Sequence, residues 1–399
     1  MARRAKPTFI SLFCGCGGLD EGFMTAGFEC LGAFDLNASA VETYNANFPN
    51  KATVADLSGW SMTPPSAGQP DLILAGPPCQ GFSTVGKRNP SDVRNHLLLK
   101  PIELALATRA RAVLIENVPG ALTGAQASYW TTAITTLRKA GYTAETFVVN
   151  AGAAGLPQTR KRAILVGIRS GRLPGTRPSS NSGDRAAINS VLPVPEGTAN
   201  HRPSILKPES RAGKIAARIG PGQKLCNVRA GESAVHTWNI PEVFGETSVA
   251  EKELLEAILR MRRRKRQRSW GDADPVRYTE IKTLFGRSAE LLVSSLIAKH
   301  YLRHVGAVAI DLTQTFNGKF RRLTMDDPTN CVLTKFCEAS YFLHPLEQRA
   351  FTVREAARLQ GFSDTFVFVG SERSQAAQVG NAVPPPLARH IAEWLLEVL

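Results

Sequence analysis

The stretch that most constrains this chain is Gly76-Pro-Pro-Cys-Gln-Gly-Phe-Ser83. Asp71-Leu-Ile-Leu-Ala75 before it reads as a short buried strand, apolar and bounded by turn formers. Pro77 and Pro78 cannot donate to a sheet ladder, so the strand must end there and hand over to a stiff loop. That loop presents Cys79 at a strand's carboxyl end, where open α/β sheets carry their chemistry. A thiol on a rigid turn suits a nucleophile. The competing reading is a buried structural cysteine, a common place for a free thiol.

The chain before and after repeats the same grammar. Thr8-Phe-Ile-Ser-Leu-Phe13 is a strand that runs into Cys14-Gly15-Cys16-Gly17-Gly18, followed by a helix from about Leu19 to Ala26. Such a glycine turn lets backbone approach a ligand and opens a helix N-terminus toward it. Its spacing is not G-x-G-x-x-G, which disfavours a dinucleotide fingerprint. Phe28 to Phe34 is the next strand and ends on Asp35, placed either to accept from ribose hydroxyls or to cap the helix that begins near Asn37. A short strand from Ala52 to Ala55 ends on Asp56-Leu57 in the same way. Ala112-Val-Leu-Ile115 is apolar and delivers Glu116-Asn117-Val118-Pro119. If its strand neighbours that of Asp71–Ala75 in a parallel sheet, Glu116 stands beside the Cys79 loop as a proton donor; the competing reading is a helix N-cap or a surface salt bridge. After a helix over 129–140 and a strand over 143–149, Gln158, Arg160 and Arg162 alternate ahead of a strand from Ala163 to Ile168. Alternation puts the two arginines on one face, where they could hold a phosphate or a base oxygen. The fold class is therefore α/β, with a mostly parallel sheet and helices on both faces.

A length of 399 residues allows two or three domains, and the formal charge of +14 calls for a polyanionic partner, with nucleic acid ahead of a membrane surface. No apolar run approaches the length of a membrane span and no signal-peptide core is present, so a cytosolic enzyme is expected. Seven scattered cysteines suit free thiols; Cys14-x-Cys16 lacks a second pair at zinc spacing, and no metal is expected. Beyond Gly171 the composition turns to Pro, Gly, Ser and Arg, marking a boundary. A helix over Ser248–Arg268 ends in Arg262-Arg263-Arg264-Lys265-Arg266-Gln-Arg268, more cations than capping needs and a candidate for phosphate contacts. Helices are expected over 277–285 and 288–304. The α/β character returns with a helix over Arg354–Gln360, the segment Gln378-Val-Gly-Asn-Ala-Val-Pro384 and a closing helix from about Leu387.

In colinear order these residues resemble the cytosine-C5 DNA methyltransferases of bacterial restriction-modification systems. Phe13–Gly18 is similar to that family's cofactor turn and Asp35 to its ribose-binding acid. Gly76–Ser83 is similar to its catalytic loop, Glu116–Val118 to its acid motif and Gln158–Arg162 to its Gln-x-Arg-x-Arg motif. Arg349–Phe362 and Gln378–Pro384 are similar to its C-terminal segments. The likeness covers roughly 1–170 and 320–399. Ser11 stands where the family often has an acid, Asp35 where Glu is commoner, and Leu36 where a bulkier residue often packs on adenine.

The resemblance implies a methyltransferase that carries a methyl group from S-adenosyl-L-methionine to C5 of a cytosine flipped out of double-stranded DNA. It implies catalysis by Cys79, attacking C6, with Glu116 on N3 and Arg160 and Arg162 orienting base and thiolate. It implies a cofactor bounded by Phe13, Gly15, Gly17, Gly18, Leu19, Asp35, Leu36, Asp56, Leu57, Pro78, Asn381 and Val383. DNA contacts are expected from Gln80 and Ser83, and from Arg262, Arg263, Arg264, Lys265 and Arg266. The domains expected are 1–170 for catalysis, 171–345 for target recognition, and 346–399 returning to the catalytic part. Its size suggests a bacterial modification enzyme, with a monomer as the default and a cognate restriction endonuclease as a partner that the sequence leaves open. The competing readings are an RNA cytosine methyltransferase and a DNA-binding paralogue without catalysis.

Overall fold

The computed structural model describes residues 6–59, 69–78, 93–123, 127–169, 171–178, 186–229, 231–264 and 274–399. Two compact units divide it: residues 1–201, 326–335 and 352–399 form the first, and 202–325 with 336–351 the second.

The first unit is built on strands β1 (Thr8–Leu12), β2 (Glu29–Asp35), β3 (Ala52–Val54), β4 (Leu72–Ala75), β5 (Ala112–Asn117), β6 (Tyr142–Asn150), the two-residue β7 (Gln158–Thr159) and β8 (Lys161–Arg169). Seven of them form one sheet in the order β3-β2-β1-β4-β5-β8-β6. From β3 to β5 every pairing is parallel, and β8 runs antiparallel to both its neighbours. Helices α1 (Gly18–Thr25), α2 (Ala38–Asn47), α3 (Lys100–Thr108) and α4 (Ala127–Lys139) connect the strands. Both faces of the sheet are covered. One apolar layer joins Phe9, Phe23, Leu72 and Leu114 with Leu387 and Trp394, and the other joins Ile10, Ile73, Val113 and Trp130. That is why β4 and β5 are fully buried along their length and read as unbroken apolar runs. Val93–Leu99 is a 3₁₀ segment, and α3 starts only at Lys100.

The second unit holds α5 (Arg211–Ala217), β9 (Lys224–Leu225), β10 (Ala234–Val235), α6 (Pro241–Phe244), α7 (Val249–Arg264), β11 (Val276–Arg277), α8 (Tyr278–Phe285), α9 (Ala289–Ala298), β12 (Leu302–Val305), β13 (Ala309–Leu312) and β14 (Arg321–Arg322). The helix expected over 288–304 ends at Ala298. His300 takes a positive φ of 63°, and Leu302–Val305 then pairs antiparallel with β13. The chain visits the first unit for β15 (Thr329–Asn330), which pairs with β7, and goes back to the second for β16 (Phe342–Leu343). It finishes in the first with α10 (Val353–Leu359), α11 (Glu372–Asn381) and α12 (Pro385–Leu395). The unit boundaries thus differ from 171 and 346: residues 186–201 belong to the first unit, where Asn200 accepts from Phe368 N–H at 2.9 Å. Among the described residues no helix is long and apolar enough to cross a membrane.

α1 and α12 touch backbone to backbone. A Cβ on Gly22 would lie 2.4 Å from the Ala388 Cβ and 2.6 Å from the Pro385 carbonyl, so only glycine fits. The acid missing at Ser11 is present from the other side: the Ser11 hydroxyl donates to Asp20 of α1 at 2.7 Å, and Tyr44 donates to the same carboxyl at 3.0 Å. Asp20 is fully buried, and burial pushes its pKa from 3.8 up to about 7. A carboxyl raised on folding stabilises the fold fully below its unfolded pKa, and that share is lost as pH rises through the folded value. Asp20→Asn is expected to flatten the fall in melting temperature between about pH 5 and pH 8, an effect on the order of 3 kcal/mol at the upper end. Thermal unfolding across that window checks it, and equal slopes for the two proteins would refute it.

Candidate active site

The carboxyl ends of β1, β2, β4 and β5 line up side by side because their parallel register is nearly unbroken. Ala75 pairs with both Leu12 and Ile115, and Leu12 with Phe34. Each strand therefore delivers its next residue to one edge: Phe13, Asp35, Gly76 and Glu116.

Beyond β1 the chain turns through Phe13 and Gly15, at φ of 57° and 55°, into α1. Asp35 holds this turn, accepting from the Gly15 N–H at 2.8 Å with one oxygen and from the Asn37 N–H at 2.8 Å with the other. The cap of α2 is Asn37 itself, which accepts from Ala40 N–H. The reading of Asp35 as the helix cap is corrected: Asn37 caps α2, and Asp35 braces the turn. Each carboxylate oxygen keeps a second lone pair for a further donor. A Cβ on Gly15 would touch nothing within 4 Å, so the turn opens on free space. Leu36 is 66% exposed beside it, and Asp56 is exposed with its carboxyl held low by the Ser58 N–H. Gly18 lies against the C-terminal segment: a Cβ there would stand 2.4 Å from the Val383 carbonyl. Asn381, the last residue of α11, is exposed.

Three expected cofactor contacts turn out to be core. Leu19, Leu57 and Val383 are 3–6% exposed and packed in the two apolar layers, so their side chains support the edge from behind. Cys14, Cys16 and Cys30 are buried free thiols. Burial pushes Cys16 and Cys30 up to about 12 and Cys14 well above its ordinary value, which keeps all three protonated.

Beside the turn, the loop after β4 is tied to β5 by Asn117, whose amide donates to the Pro77 carbonyl at 3.3 Å. Glu116 is the penultimate residue of β5, 8% exposed, and a Cβ on Gly76 would stand 3.8 Å from its Oε2. Its Oε1 takes Arg162 Nε of β8 at 2.6 Å. That leaves Oε2 toward the mouth of the loop that leads to Cys79. Cys79, Gln80, Ser83, Lys265 and Arg266 lie outside the described residues.

The two arginines part company. Arg160 is 1% exposed and donates to the carbonyls of Val332, Gly380 and Ala382 at 2.9, 3.1 and 2.8 Å, and to Cys331 Sγ at 3.1 Å. Burial, and then the neighbouring Arg162, lower its pKa to about 10, so it stays charged at neutral pH. The expectation that Arg160 orients a base is corrected: both of its terminal nitrogens are held by the chain's own carbonyls. Gln158 is buried in the same knot, donating to Gln360 Oε1 at 2.6 Å and accepting from Val332 N–H at 3.3 Å. Arg262 is corrected in the same way. It is 1% exposed, with Nε on Asp311 Oδ1 at 2.6 Å, and so is not available to a phosphate, whereas Arg263 and Arg264 are exposed.

A family model described as C-5 cytosine-specific DNA methylase matches residues 7–397. The chain belongs to that family. As a C-5 cytosine-specific DNA methylase it transfers methyl groups to cytosine C5 in DNA, with S-adenosylmethionine as the methyl source that the family and fold imply. It is similar to the Type II methyltransferase M.AgeI of Thalassovita gelatinovora, 30% identical over 97% of this chain and 98% of the relative. It is also similar to M.NgoFVII of Neisseria gonorrhoeae, 29% identical over 98% of this chain and 87% of the relative. Its fold matches the Entamoeba histolytica methyltransferase EhMeth with a TM-score of 0.57, 14% identity and 99% of each chain covered. The Dnmt2 methyltransferase of S. pombe matches with a TM-score of 0.55 and 15% identity, over 98% of this chain and 99% of the other.

For this DNA methylase, removing the Arg160 guanidinium would take a charged donor from the carbonyls of Val332, Gly380 and Ala382. Arg160→Met is expected to lower unfolding free energy by about 3 kcal/mol or more. Urea unfolding measures it, and a stability within about 1 kcal/mol of wild type would refute it.

Proposed function

We propose that this chain is the modification enzyme of a Type II restriction-modification system, a monomer that methylates one cytosine within a short duplex sequence recognised also by a cognate endonuclease. The reading is supported above all by the parallel pairing of β4 with β5, which sets the loop leading to Cys79 against the Glu116–Arg162 pair. The relatives named Type II methyltransferases, matched along nearly their whole length, support the biological role.

The residues at the edge fit S-adenosylmethionine. Phe13 and Leu36 offer apolar surface, the Gly15 turn opens on free space, and Asp35 retains acceptor capacity for ribose hydroxyls. Asp56, Pro78 and Asn381 would complete that set of contacts. When bound, this cofactor supplies the methyl group that C5 accepts.

The chain's own residues do the rest. Cys79, as thiolate, adds to C6 of the extruded cytosine and moves electron density to C5. Glu116 holds N3, and its Oε1 bond to Arg162 fixes which oxygen faces the base. Loss of the C5 proton to a base then expels Cys79 and restores the aromatic ring, so the thiol is regenerated at every turnover.

Transfer of labelled methyl groups to duplex DNA, mapped by bisulfite sequencing, is expected at one short motif for the wild type and at none for Cys79→Ala. Transfer to transfer RNA in place of DNA would replace this reading with the RNA one. Glu116→Gln is expected to lower the single-turnover rate by about 10²–10⁴-fold while leaving duplex binding unchanged. A rate within a few-fold of wild type would remove Glu116 from the chemistry.

A further inference from the structure

The cation run at the end of α7 is the basic feature most visible in the sequence, yet a second group of cations is assembled by the fold from positions far apart in the chain. In the second unit, the residues just ahead of β9 are bonded to β14: Arg322 N–H donates to the Gln223 carbonyl at 3.0 Å and Gly222 N–H to the Arg322 carbonyl at 3.0 Å. Leu225 N–H donates to the Lys319 carbonyl at 2.9 Å. Side chains alternate along such strands. Leu225 and Leu343 are fully buried in this unit's smaller apolar core, and Arg322 is buried beside them. Their neighbours Lys224 and Arg321 are half-buried, and Arg229 is exposed.

Lys224 lies within electrostatic range of Arg321 and of Arg229. The Lys224 ammonium is disfavoured first by its own burial and then by Arg321 and Arg229. Burial lowers the Arg321 pKa as well. Among the described residues no carboxylate pairs with any of the three. Glu232 gives Gln223 its backbone carbonyl, not its carboxylate. Like charges gathered on one partly desolvated face, with their donors unmade, raise the energy of the free protein. A polyanion would relieve both problems at once.

The face is also held rigid. Arg322, next to Arg321, donates five hydrogen bonds, to the carbonyls of Ile219, His344, Glu347 and Ala216 and to Gln348 Oε1. Lys319, on the same segment, is seated over the Tyr341 ring at 2.9 Å from its centroid. Little backbone ordering would remain to oppose binding.

We infer that Lys224, Arg321 and Arg229 form a phosphate clamp that grips the sugar-phosphate backbone of the DNA substrate without reading its bases. The inference rests on the proposed function and names where in the second unit that substrate is held. A cation that faces a phosphate weakens binding equally for every sequence when it is removed, whereas one that reads a base edge relaxes specificity.

The test uses the full chain, with Lys224→Gln, Arg321→Gln and the double variant, and duplex DNA carrying the wild-type target motif. Binding is measured over a salt series. Each single variant is expected to reduce the slope of log affinity against log salt by about 0.9, and to weaken binding by up to about tenfold at 0.1 M salt. The methylated motif and the single-turnover rate at saturating DNA are expected to stay as in wild type. Arg321→Lys is expected to recover most of the slope, which a merely structural role would not allow. An unchanged slope in the double variant overturns the clamp while leaving the methyltransferase reading intact. A broadened methylation motif also overturns it, in favour of base contact. A wild type that neither binds nor methylates duplex DNA overturns both readings together.

Discussion

A single buried guanidinium holds the first unit's distant parts in one piece. Arg160 lies between β7 and β8, yet its acceptors are 172 and 220 residues away, at Val332 and Gly380. A cation sealed from water needs hydrogen-bond acceptors, and three carbonyls and a thiol supply those of its two terminal nitrogens. The two carbonyls at 380 and 382 flank Asn381, so the end of α11 is located by this contact. The wrap is tight: a Cβ on Gly380 would meet Thr334 N at 2.3 Å. Gln158 and Gln360 close the same knot. A segment that visits the other unit between 202 and 325 is thereby returned to a fixed place on the sheet that the first residues began.

That fixed place matters because the site is made of ends. Phe13, Asp35, Gly76 and Glu116 each follow or finish a different strand, and none is near another in sequence. Their alignment is a property of register: β1, β2, β4 and β5 run parallel with one irregularity, between Phe9 and Ile10. The antiparallel β8 then contributes from the opposite direction, bringing Arg162 to the Glu116 carboxylate, since Glu116 pairs with Ile164. The site needs the one reversed strand as much as it needs the parallel ones.

Much of this was legible in the residues, for reasons that can be named. Strands buried on both faces are apolar throughout, so Leu72–Ala75 and Ala112–Ile115 announce themselves, and glycine and proline mark where they stop. What failed to read was destination. Arg160 and Arg162 are the same residue type two positions apart, and alternation placed them on one face. The first is drawn off by carbonyls hundreds of residues away, and the second by an acid on a neighbouring strand. Arg262 looked like the start of a basic tract until Asp311 was brought beside it by β13. Leu302–Val305 followed an apolar helix closely enough to extend its pattern, and only pairing with β13 makes it a strand. Each of these turned on a partner far off in the chain, which a local pattern cannot contain.

The same reasoning bears on charge. The chain's +14 points toward a polyanion, but a count of cations does not separate those that can touch phosphate from those that hold the fold. Among the described residues, Arg160, Arg262, Arg322, Arg349 and Arg354 are all 0–4% exposed. Arg262 and Arg349 pair with Asp311 and Glu347. Arg160, Arg322 and Arg354 bond chiefly to carbonyls, which leaves their charge unneutralised. These three still add to the long-range field that draws DNA in, while releasing no counterions themselves. Attraction and grip are therefore carried by different arginines. The salt dependence of binding counts only the second kind, so it should fall well short of what the net charge alone would suggest.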